Sequence, residues 1–300
     1  EQQPHYYESL AIVQLNIGEI TNSITTVEKG LAKFPDNNAL LKLHSNLAYE
    51  TSSDNPFQYY ENLLSNKTEP TILIDYANAL INSANYAQAE EMLSQLQGIK
   101  GFENDYLLGL CKGYKAQHQF NSVVNTLEAI HELTPELEII YIEALIAQGN
   151  CLLAEQKLTP YLVRFPFDQY YLALYTCILE QTDQTKYEEV CNYETLVFRE
   201  ELIFPPHYGN IENFNKALRS TLEEIHVTTN NPIAQSVIGG KQTPGNLFNK
   251  RFPIIQELKN AFLDTFKHAT NKHNTFELLP EHHPLKRQLS KHVDFSAAWS

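Results

Sequence analysis

The sequence predicts a mostly α protein: an α-solenoid of antiparallel helix pairs over residues 1–190, then an α+β segment over 191–300. Three observations lead there. A pattern of helix, Gly- or Asn-containing break, second helix and Pro returns at a period of about 34 residues. Near residue 192 the texture changes, and β-branched and aromatic runs replace the helical spacing. The charge changes as well: residues 1–200 hold 11 Lys and Arg against 27 Asp and Glu, whereas 201–300 hold 11 against 9.

Composition bounds the function classes. With 43% hydrophobic and 19% charged residues, the chain of 300 residues has the makings of two cores and none of the marks of disorder. The net charge of −14 argues against nucleic acid or an anionic membrane as partner, because phosphate binding needs a basic face. No apolar run is long enough to span a bilayer. Cys111, Cys151, Cys177 and Cys191 form no CxxC pair, which excludes the common zinc modules and fits a reducing, cytoplasmic compartment. The chain opens at Glu1 without Met or a signal sequence, so a missing natural start is expected.

The repeats run in order. The first copy, 4–37, carries Leu10-Ala11, Gly18, Ser23, Val27, Gly30 and Pro35; a degenerate copy fills 38–69. The copy at 70–103 reads Tyr76-Ala77-Asn78-Ala79-Leu80, then Asn85-Tyr86-Ala87-Gln88-Ala89 and Leu93. The copy at 104–137 has Cys111, Gly113, Tyr114, Phe120, Val123 and Leu127; that at 135–168 has Tyr141, Leu145, Gly149, Ala154, Leu158 and Pro166. A weaker pair covers 169–190. Small residues such as Ala77, Cys111 and Ala89 sit where paired helices must approach, and Leu80, Leu93 and Leu127 fill the layer between. Each Pro follows a helix it cannot continue.

These copies resemble tetratricopeptide repeats. The resemblance implies a concave groove, formed by the first helix of each pair, for a protein or peptide. Asn78, Asn82, Lys112, Lys115 and Glu143 would face it, and the lysines and asparagines suit a peptide carboxylate. The alternative is that these are ordinary solvated positions. Oligomeric state is left open.

In the second segment, 192–198 reads as a strand, and Phe204-Pro205-Pro206-His207 as a break. Helix 210–226 starts at a capping Asn210 and aligns Ile211, Phe214, Leu218, Leu222 and Ile225. A short strand at 234–238 leads into the turn-prone 239–245. Helix 253–269 aligns Ile254, Ile255, Leu258, Phe262 and Phe266, and 293–300 reads as a strand.

The order of Phe204-Pro205-Pro206, Phe214-Asn215-Lys216-Ala217-Leu218, His226, Gln235-Ser236, Gly239-Gly240-Lys241-Gln242-Thr243, Leu247-Phe248, His283-Pro284-Leu285 and Trp299-Ser300 resembles the opening of Fe(II)/2-oxoglutarate-dependent oxygenases that follow tetratricopeptide repeats. The resemblance implies a double-stranded β-helix (jelly roll) whose iron is held by a His-x-Asp/Glu pair and a distant His. It implies a substrate-cleft rim near Gln235, Ser236, Gly239, Gly240, Gln242, Thr243, Trp299 and Ser300. In that family the metal-binding segment follows the Trp-Ser strand. The chain alone is therefore expected to hold no metal ligand, to bind neither Fe(II) nor 2-oxoglutarate, and to be inactive. His292-Val293-Asp294 spells the ligand pair but precedes the expected position; His268, His273, His282 and His283 read as surface histidines. The competing expectation is a non-catalytic interaction scaffold whose second segment caps the repeats.

Overall fold

The computed structural model describes residues 3–65, 69–228, 230, 232–233, 237, 240–274, 277–281, 283–284 and 294–300. It is mostly helical, with helices paired as in a repeat protein, and no strand occurs among the described residues. The chain forms two compact units. The first comprises Glu1–Phe102, Ile203–Phe262 and Asp294–Ser300, and the second Glu103–Leu202 and Leu263–Val293.

In the first unit α1 (Pro4–Asn16) pairs with α2 (Ile20–Lys33) and α5 (Pro70–Asn82) with α6 (Tyr86–Ser94), while α3 (Asn38–Glu50) and the short α4 (Gln58–Leu64) both pack on α5. Pro4 and Pro70 open their helices, where a missing N–H costs nothing. Ala11, Val27, Leu40, Ala77 and Leu80 are wholly buried, and the Ser23 hydroxyl crosses from α2 to donate to the Ala11 carbonyl at 2.8 Å. Burying each such leucine contributes about 1.5–3 kcal/mol.

The second unit continues the scheme with α7 (Glu103–Ala116), α8 (Phe120–Leu127), α9 (Pro135–Ala147), α10 (Cys151–Arg164), α11 (Gln169–Thr182) and α12 (Gln184–Val190). Its core gathers Cys111, Val123, Leu127, Ile142, Leu145, Ala154, Leu158 and Ile178. The small and large residues assigned to the interhelical layer are thus buried as expected.

One turn recurs through the repeats. Gly18, Ser52, Ala84, His118 and Gly149 all have φ between 56° and 93°, and they fall 31 to 34 residues apart. In each, the next N–H reaches five residues back: Glu19 to Gln14, Ser53 to Ala48, Asn85 to Leu80, Gln119 to Tyr114 and Asn150 to Leu145, at 2.8–2.9 Å. This is the left-handed helix stop that satisfies the last carbonyls. In four copies the residue after it, Glu19, Asn85, Gln119 or Asn150, has φ from −89° to −82° and ψ from 58° to 62° before the second helix starts.

After residue 190 two of the three expected strands are not found among the described residues. Residues 192–198 are not a strand: α13 (Tyr193–Leu196) forms there, because the Asn192 side chain accepts from the Thr195 N–H at 3.0 Å and caps a helical turn. The expected strand 234–238 lies, apart from Val237, outside the described residues. In the expected strand 293–300, residues 294–300 form no regular element; two of their carbonyls accept single hydrogen bonds without building a ladder. The β-helix that the resemblance implies is therefore not seen among the described residues.

The two long helices hold their predicted places. In α14 (Ile211–Ile225) Asn210 caps the Asn213 N–H at 2.8 Å, and Phe214 is fully buried. In α15 (Pro253–His273) Ile254, Ile255 and Leu258 are buried, but Phe262 and Phe266 are 42% and 38% exposed. The buried positions in that stretch are the small Ala261 and Ala269 instead.

Candidate functional site

Within the first unit, residues distant in sequence converge around the loop 240–250. The Thr243 N–H donates to the Ser300 carbonyl at 3.1 Å, and the Ser300 N–H returns a bond to Thr243 Oγ1 at 3.2 Å. Leu247 N–H donates to the Ala298 carbonyl at 2.6 Å. His226, which ends α14, brings Nε2 to 2.8 Å from Ser300 Oγ, and Thr228 donates its hydroxyl to the Gln242 carbonyl at 2.8 Å. Thr228, Gln242 and Thr243 are buried. Polar groups taken from water this way need such partners.

The same loop is fastened to the end of α1. Gly245 has φ +68°, a conformation that favours glycine, and a Cβ there would lie 2.8 Å from Asn16 Oδ1. Lys250 is 1% exposed; its Nζ donates to the carbonyls of Leu15 at 2.9 Å and Pro244 at 2.6 Å. Leu15 lies in the last turn of α1, where the helix dipole favours a cation. Burial pushes the Lys250 ammonium down to about 8. Nearby, Asn215, Leu218, Arg219, Leu222, Glu223 and His226 line one face of α14 and a shallow depression of 600 Å³.

Of the expected rim residues, Gln235, Ser236 and Gly239 lie outside the described residues, as do His282 and His292. Gly240 and Trp299 are exposed; Gln242, Thr243 and Ser300 meet as described. Asp294 pairs with Lys259 at 2.9 Å. His283 is not a surface residue: it is 4% exposed, with Nε2 at 3.0 Å from the Val190 carbonyl. His268 is exposed. Among the described residues no three His, Cys, Asp or Glu side chains gather as a metal site requires, so the donor set present does not fit iron. No helix among them is long and apolar enough to cross a membrane.

The expected groove residues divide between the units. In the first, the Asn78 amide donates to its own helix at Ile74, 2.9 Å away, and Asn82 is exposed. In the second, Lys112 and Lys115 lie on α7 and Glu143 on α9. Lys115 Nζ donates to Glu143 Oε2, and the Tyr170 hydroxyl on α11 donates to Glu143 Oε1. Burial, then the bond to Glu143, raises the Tyr170 hydroxyl above its usual range. Three successive first helices are thus stitched by one carboxylate. A ligand carboxylate would have to compete with Glu143 for Lys115.

Several polar residues carried no sequence signal. Lys250 is one, Tyr170 another. A third group joins Glu200 to Lys272 at 2.8 Å and to His273 at 2.6 Å, with Phe198 stacked on His273 at 5.0 Å between centroids. The hydrogen bonds from Lys272 and then His273 hold the Glu200 carboxyl below its ordinary range. Compared with known proteins, the chain matches no family model and no curated sequence.

Proposed function

We propose that the helical repeats recruit a protein or peptide to a hydroxylase of the Fe(II)/2-oxoglutarate-dependent kind, to which residues 191–300 contribute the opening portion. The observation that carries this is the meeting of His226, Thr243 and Ser300, which the resemblance names from three separate stretches of sequence. Residues that form one motif only in order along a chain need not touch; these do. In this role Thr243 and Ser300 fix the loop 240–250 as a rim, and the depression beside His226 supplies room for a substrate group. The described residues gather no iron-ligand set, so in this reading the iron ligands come from residues outside them. Four free thiols, two of them buried, support a reducing, cytoplasmic setting.

The test is the full natural product of the gene, assayed with Fe(II) for succinate formed from 2-oxoglutarate. Turnover above a chelated control is expected. A folded product with neither iron nor turnover would remove the hydroxylase. It would favour a capping scaffold, a role suited to the seating of Lys250 and Gly245 on the end of α1.

A further inference from the structure

Three of the four cysteines lie in one part of the second unit. Cys151 opens α10, Cys177 sits in the middle of α11, and Cys191 follows α12. Helix α11 packs against both α10 and α12. Cys177 is close enough to act electrostatically on Cys151 and on Cys191 alike. Their surroundings differ: Cys177 is exposed, Cys191 half-buried and Cys151 buried, and all are free thiols.

We propose that Cys177 and Cys191 are a thiol–disulfide pair, closed by a peroxide and fastening the end of α12 to α11. The exposed thiol meets the oxidant first. The Cys177 thiolate attacks a peroxide oxygen; an S–O bond forms, the O–O bond breaks, and the departing oxygen takes a proton as water. The Cys191 sulfur then attacks the sulfenic sulfur; an S–S bond forms, the S–O bond breaks, and hydroxide leaves with a proton as a second water. Overall, two thiols and one hydrogen peroxide give one disulfide and two waters.

Cys191 is the better partner because of the element that carries it. Helix α12 has seven residues and buries none of them, so its end can shift toward α11 at little cost. Cys151 is held at the first position of α10, packed in the core at 4% exposure. Burial raises the Cys191 thiol, with Cys177 and Glu180 adding to it. This pair is independent of the hydroxylase proposal.

The test treats the reduced chain with hydrogen peroxide, blocks remaining thiols by alkylation, and maps the peptides by mass. The expected result is a linked Cys177–Cys191 peptide and the loss of two thiols per chain. In Cys191→Ser, dimedone should instead label Cys177 as the sulfenic acid, while Cys151→Ser should still form the link. A Cys151–Cys177 link would overturn the proposal. So would oxidation of wild-type Cys177 to the sulfinic acid without any link, a result that requires no variant to fold.

Discussion

Gly30 on α2 shows how tightly single positions are set. A Cβ there would stand 2.9 Å from Leu40 Cδ1 and 3.0 Å from Tyr7 Cβ, so three helices meet at a hydrogen atom. Gly30→Ala is expected to cost about 1–3 kcal/mol in urea unfolding despite its better helix propensity, because overpacking outweighs propensity here. Glu50, at the end of α3, makes a different point. Burial raises its carboxyl from 4.5 to about 7. The folded state then holds a proton that the unfolded state has released, so the contribution is present below pH 4.5 and is lost as pH rises through 7. Glu50→Gln should therefore raise Tm at pH 8 and leave it nearly unchanged at pH 4, as thermal melts at the two pH values would show.

At the scale of elements, the recurrent left-handed turn decides the repeat more than any side chain does. Ser52, Ala84 and His118 occupy it without being glycine. Ala84→Gly and His118→Gly are expected to stabilise by up to about 1 kcal/mol each, and Gly149→Ala to cost about as much, all measurable by urea titration. Helical spacing made the helix pairs legible, and the burial of Ala77, Cys111, Ala89, Leu80, Leu93 and Leu127 follows from it. The turn itself was only half legible, since glycine marks two of its five positions. The strand expected at 192–198 failed for a local reason: β propensity is weak, and one asparagine cap was enough to close a helical turn. Residues 294–300 show hydrogen bonds to the loop 240–250 but no strand pairing among the described residues, which composition alone could not distinguish.

At the scale of the whole molecule, the loop 240–250 depends on one buried cation. Lys250→Met keeps an unbranched apolar stem but strands the Leu15 and Pro244 carbonyls, at an expected cost of about 2–4 kcal/mol. Because burial lowers its pKa from 10.5 to about 8, the Lys250 contribution is fullest above 10.5 and is lost as pH falls through 8. Comparing unfolding of wild type and Lys250→Met at pH 7.5 and 9.5 should show the gap widen at the higher pH. Nothing in Phe248-Asn249-Lys250-Arg251-Phe252 announces this role, because exposure is a property of the folded chain. The site residues His226, Thr243 and Ser300 were legible only through a family pattern; their meeting was not. The stop that closes five of the helices is built on a backbone bond spanning six residues, 2.8–2.9 Å long in every copy. Such joints are interchangeable parts. Transplanting 114–119 into 80–85 should leave the hinge angle of the recipient pair intact, so a helix pair can change its lettering while keeping its bend.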